Sequence, residues 1–158
     1  MAPPVSRDGR DESEDERLDR NWNELLQELR ITQTGLQLLS GFLLTLAFTQ
    51  VFGGLDDRQK ALYLSLVVIA GMAVGLNLMP VMMHRRVFGE HVKGRVVRVG
   101  HVVAQIVIAA IAVLVVGMAT LIFSVVVSWT AGIVVAAFLV VVLGVLLGVL
   151  PSRLDPGR

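Results

Sequence analysis

Residues 103–127 read VAQIVIAAIAVLVVGMATLIFSVVV, twenty-five positions without a formal charge. Strands of a membrane β-barrel would alternate apolar and polar residues over about ten positions, and this stretch does not alternate. A buried helix of a soluble protein seldom runs beyond about 20 residues without a polar face, whereas a bilayer-spanning helix needs about 20 apolar residues. The segment therefore reads as a helix whose solvent is lipid.

The rest of the chain follows the same division. No Asp, Glu, Lys or Arg occurs in 31–55, 61–84 or 99–152, although the 158 residues include 14 basic and 13 acidic ones. Apolar residues make up 54% of the chain, with a mean hydropathy of +0.71, and they are segregated rather than scattered. Four spans fit these runs, at about 32–53, 61–83, 101–126 and 130–150. The third and fourth part at SVVVSWTAGI, where Ser128, Thr130 and Gly132 supply turn chemistry and Trp129 suits an interface. Between the first two, GGLDDRQK offers a Gly-Gly turn, and Asp56 followed by Gln59 resembles a helix-start cap. The expected fold is an all-α integral membrane four-helix bundle over residues 32–150, preceded by an amphipathic cytoplasmic helix.

Basic residues orient the chain. Residues 1–30 carry five Arg, the 84–98 loop carries Arg85, Arg86, Lys93, Arg95 and Arg98, and the tail 151–158 carries Arg153 and Arg158. With four spans these regions share one face, 12 basic residues against Arg58 and Lys60 opposite, so both termini are expected in the cytoplasm. Phe52, Tyr63 and Trp129 then mark the outer boundary, and Trp22 and Phe88 the inner one. The N-terminus lacks the basic start and short apolar core of a cleaved signal peptide. Twelve of the 14 basic residues are Arg, a usage that fits a high-GC bacterial genome.

On the cytoplasmic side, residues 1–12 form a charged tail, and SEDE at 13–16 matches a capping box with Ser13 as cap and Glu16 three residues on. Leu18, Trp22, Leu25, Leu26 and Leu29 then fall on one helical face, with Asp19, Arg20, Asn23, Glu24, Gln27 and Glu28 on the other. That is an amphipathic helix over 13–31, laid on the membrane surface or packed on its own protein. Residues 1–30 sum to −4 and residues 84–98 to +4, so the basic loop has two candidate contacts, the acidic helix and anionic lipid headgroups.

The first span carries a polar stripe. Arg30, Thr34, Gln37, Gly41, Thr45 and Phe48 lie within one sector of about 80° at 100° per residue, flanked by Gln33 and Ser40. Unpartnered polar groups facing hydrocarbon cost several kcal/mol each, so the stripe either joins helices or lines a path for a solute or ion. Gly71 with Gly75 and Gly144 with Gly148 form small-xxx-small pairs that suit close helix packing, and hence a homo-oligomer. Pro80 frees the Leu76 carbonyl and predicts a kink, with Asn77 placed to help satisfy the gap.

Catalytic chemistry is harder to find. No span holds a carboxylate, and the nearest titratable group is His101, with Gln105 one turn on, a possible proton relay. His84, His91 and His101 match no metal-ligand spacing, the absence of cysteine excludes thiolate sites, and no serine has a paired His and acid at matching depth. Neither cofactor nor metal is expected, and a net charge of +1 implies no nucleic-acid partner.

The runs NWNELLQELRITQTGLQLLSGFLLTLAFTQVF, LDDRQKALYL and PVMMHRRVFG, within about residues 21–101, resemble a family of small actinobacterial membrane proteins of unknown function. The resemblance implies four membrane helices, location in an actinobacterial, hence bacterial, plasma membrane and no established activity; members are sometimes labelled sodium:proton antiporter. Two functions are open on this reading. One is a non-enzymatic, self-associating structural or regulatory module, and the other a small oligomeric channel or transporter.

Overall fold

The computed structural model describes residues 14–86 and 93–149, and all regular structure among them is helical. Five helices follow in order: α1 Glu14–Leu46, α2 Gln50–Gly53, α3 Asp57–Arg86, α4 Lys93–Val126 and α5 Trp129–Gly144, the last continuing as a π-helical turn, Val145–Val149. Ser13, Phe88 and the two tails lie outside the described residues, as do the side chains of Arg85, Arg86, Lys93 and Arg95 at the facing ends of α3 and α4.

Three segments are long and apolar enough to cross a membrane: Asp57–Pro80, Arg98–Val126 and Trp129–Val149. α1 is not one of them. Two glutamines, three threonines and a serine dilute its apolar half, and it stops at Leu46 rather than running on to residue 53. There Phe48 N–H donates to the Thr45 carbonyl and Thr49 N–H to the Leu46 carbonyl, both at 3.1 Å. That tight turn leads into α2.

The interfacial segment expected over 13–31 and the first span are one continuous helix of 33 residues, about 50 Å long. The sequence explains this. No proline interrupts α1, and Trp22, Leu29, Leu36 and Leu43 recur every seven residues, so the apolar face crosses residue 31 without changing direction. The upper part of that face is covered by protein. Leu25 and Leu29 are buried with Ala104 of α4, and half-buried Trp22 packs against them.

α4 packs along α1, α3 and α5, and α1 also packs along α3. α5 rests on α4 and meets the other helices at most marginally, so the arrangement is a three-helix core with a fourth helix alongside, not a closed ring of four. The core is built from Leu36 and Leu43 of α1, Tyr63, Leu66, Ala70 and Ala73 of α3, and Val107, Leu114 and Leu121 of α4. Three glycines allow this closeness. A Cβ at Gly100 would collide with the Leu25 side chain and one at Gly117 with Leu66, while at Gly132 it would lie 2.8 Å from the Thr120 carbonyl oxygen. The four glycines singled out by motif, Gly71, Gly75, Gly144 and Gly148, are exposed, and no other helix or side chain comes within 4 Å of that position.

Candidate functional site

Two hydrogen bonds set α1 against α3. The Tyr63 hydroxyl donates to the Leu43 carbonyl at 2.9 Å, and the Asn77 amide donates to the Leu29 carbonyl at 3.2 Å. From 29 to 43 and from 63 to 77 is the same 14-residue step, so the antiparallel helices stay in register between the two bonds. Residues 29–43 of α1 therefore lie level with residues 63–77, inside the apolar segment Asp57–Pro80. Leu25 on Gly100 and Leu29 beside Ala104 give the same depth against α4.

Thr32, Asn77 and Tyr63 are satisfied on the inward face at this depth. The Thr32 hydroxyl lies 2.9 Å from the Leu29 carbonyl and 3.1 Å from Asn77 Oδ1, sharing one proton between two acceptors. Buried Asn77 thus ties α3 to α1 and does not turn back to its own helix, which continues through buried Pro80 to Arg86. Tyr63 satisfies a carbonyl in the last turn of α1 and meets Phe52 edge to face, with ring centroids 5.0 Å apart.

A second knot closes the other end. Asp56 N–H donates to Gln59 Oε1 at 3.0 Å, and Gln59 N–H donates to Asp56 Oδ1 at 2.8 Å, a reciprocal cap at the start of α3. Gln59 then donates its side-chain amide to Ser124 Oγ at 3.4 Å, and Ser124 donates to the Leu121 carbonyl at 2.8 Å. Trp129 Nε1 donates to Asp56 Oδ2 at 3.0 Å, fastening the first turn of α5 to the α2–α3 junction. The indole N–H, followed by the Gln59 backbone N–H, holds the Asp56 carboxyl below its ordinary value because both stabilise the ionised form. Ser128 caps α5 by accepting from Ala131 N–H at 3.2 Å.

The outward face of α1 is different. Arg30, Gln33, Thr34, Gln37, Gly41 and Thr45 are all exposed. Thr34 donates to the Arg30 carbonyl at 3.1 Å and Thr45 to the Gly41 carbonyl at 2.8 Å, so both hydroxyls are satisfied by their own helix. The Gln33 and Gln37 carboxamides hold no such bond among the described residues. Half-buried Ser40, about 40° from Leu36 and so on the core side, has a buried Oγ without a partner.

The chain matches the Family of unknown function (DUF6328) over residues 11–151. It belongs to that family. No curated protein and no solved structure matches it.

Other marked positions of this DUF6328 chain stay apart from these knots. His101, Gln105 and Arg98 are exposed on α4. No group of three metal-binding side chains occurs among the described residues. An apolar groove of about 160 Å³ lies between the end of α1, α2 and the end of α4, lined by residues such as Phe42, Leu46, Val51, Met118 and Val125. Sequence reasoning passed over Thr32 and Tyr63 as structural residues. Thr32 carried a signal, since it lies between Leu29 and Leu36 on the face that repeats every seven residues. Tyr63 carried none, because its partner is a backbone carbonyl.

Proposed function

We propose that this DUF6328 protein is a non-enzymatic, self-associating module of the bacterial plasma membrane that crosses the bilayer four times with both termini in the cytoplasm. The observation carrying this reading is the depth of α1. Its residues 29–43 run level with an apolar span and share three hydrogen bonds with it, which supports a fourth crossing despite the diluted composition. A crossing helix with Gln33 and Gln37 on its outward side presents unpaired carboxamides at hydrocarbon depth. Such groups draw helices together, because lipid tails offer them nothing. Thr32 with Asn77 and Gln59 with Ser124 are joined across helices, so the protomer holds them as fasteners. The basic residues at the α3–α4 junction suit anionic headgroups on the cytoplasmic side.

The second reading, an oligomeric ion or solute pathway walled by α1, is favoured by the same outward stripe. Reconstitution separates the two. Liposomes holding the wild-type protein should show proton, sodium and potassium flux no greater than empty liposomes, while the protein migrates as an oligomer. Flux that disappears in Gln37→Leu would replace the module with a pathway. A reporter fused after residue 158 should be active only in the cytoplasm, and an external signal would overturn the threading.

A further inference from the structure

Assembly needs a particular surface, and the exposed faces differ in what they offer. α5 presents Ile133, Val134, Phe138, Val140 and Val141, side chains that lipid solvates as well as protein does. The outward side of α3 presents Gly71 and Gly75 among Val68, Met72 and Leu78, again without a polar group in need. Among the described residues α4 presents one exposed carboxamide without a partner within its span, Gln105, whereas the outward side of α1 presents two, Gln33 and Gln37, one turn apart. Gln33 and Gln37 lie about 60° and 100° round the helix from Leu36, and both are exposed.

We infer that α1 is the face on which a second copy of this chain docks, parallel and about a two-fold axis, with the Gln33 and Gln37 carboxamides bonded across the contact. This rests on the proposed fourth crossing and specifies its partner. Copies inserted by one route thread the membrane alike, so Gln37 of one protomer meets Gln37 of its partner at equal depth. A carboxamide carries both a donor and an acceptor, so it complements its own symmetry mate, as a two-fold contact requires. Gly41, one turn from Gln37 with open space beyond its Cα, lets the backbones approach. Thr34 and Thr45 do not compete, since their protons are bound to their own helix. Arg30, at the cytoplasmic end of the stripe, has the length to reach headgroups rather than its twin.

The lack of cysteine makes the test clean. Single-cysteine chains Thr34→Cys, Gly71→Cys, Gly144→Cys and Phe42→Cys are oxidised in native membranes and resolved by denaturing electrophoresis. Phe42 is the off-face control, exposed but about 140° from Gln37. Thr34→Cys should form covalent dimer, and adding Gln33→Leu and Gln37→Leu should weaken dimerisation roughly tenfold, the effect of two interhelical hydrogen bonds in a membrane. Far-UV circular dichroism of that triple variant should match the wild type, because none of the three side chains enters the core. Cross-linking at Gly71→Cys or Gly144→Cys but not at Thr34→Cys would overturn the α1 contact while leaving self-association standing. Cross-linking at Thr34→Cys that survives both leucines would overturn the role of the carboxamides. No cross-link anywhere, with single-step photobleaching of the labelled protein, would overturn the contact and the self-associating module together.

Discussion

α1 has two polar faces, and they meet opposite fates. On one, Thr32 and the Leu29 and Leu43 carbonyls are engaged by Asn77 and Tyr63 of α3. On the other, about 60° to 100° round the helix from Leu36, Gln33 and Gln37 hold no partner among the described residues. Both sets of groups lie between residues 29 and 43, level with the same stretch of α3. What separates the faces is which one the seven-residue repeat of Trp22, Leu29, Leu36 and Leu43 turns toward the core. Polarity at bilayer depth is therefore not a function in itself. On one side of α1 it closes a joint within the fold, and on the other it is the contact inferred for a second copy.

Paired substitutions test that contrast, and the glycines should give the largest effect. Gly117→Leu forces a side chain into Leu66 and should destabilise the protomer by about 1–3 kcal/mol, as overpacking does. Gly71→Leu, which meets nothing, should stay within about 0.5 kcal/mol of wild type. Both are read by unfolding in mixed micelles with increasing denaturing detergent. Equal losses would mean that the two glycines are not distinguished by packing.

The inward and outward carboxamides come next. Asn77→Leu removes the bond to the Leu29 carbonyl and should cost about 1–2 kcal/mol in the same assay, whereas Gln37→Leu should leave protomer stability unchanged. A loss in Gln37→Leu under monomeric conditions would place that residue inside the protomer fold and erase the contrast. Tyr63→Phe keeps the ring against Phe52 and loses only the hydroxyl, so about 0.6 kcal/mol is expected, again with no counterpart on the outward face.

The smallest effect concerns the exposed Asp56–Trp129 bond. The folded-state value of Asp56 is lowered, so its contribution is complete above the ordinary carboxylate range and fades as the pH falls through the folded value. Trp129 fluorescence during an acid titration should report the release of α5's first turn, and Asp56→Asn should abolish that transition. An unchanged titration in Asp56→Asn would mean that another group governs it.

Some of this was legible in one dimension. The charge-free run 99–152 announces apolar helices because backbone groups in lipid must bond within their own segment. The Asp56–Gln59 cap is visible at three-residue spacing because its partners belong to one helical turn. The turn separating α4 from α5 falls within SVVVSWTAGI for a similar reason, since Ser128 caps a helix beginning at the next residue. The polar stripe of α1 was legible as a stripe, but its direction was not.

Composition and helical period are properties of neighbouring residues, and these alone established an all-helical chain with segments suited to lipid. Direction and register come from contacts between residues far apart in the chain. Gly100, Gly117 and Gly132 matter because other helices approach them, while Gly71 and Gly75, spaced like a packing motif, meet open space. Asn77 lies one turn from Pro80, yet its partner is 48 positions back along the chain, on α1. Those pairings arise only when α1, α3 and α4 slide to the one alignment that buries the seven-residue repeat. Tertiary packing alone therefore decided which polar groups are joined and which are left facing out.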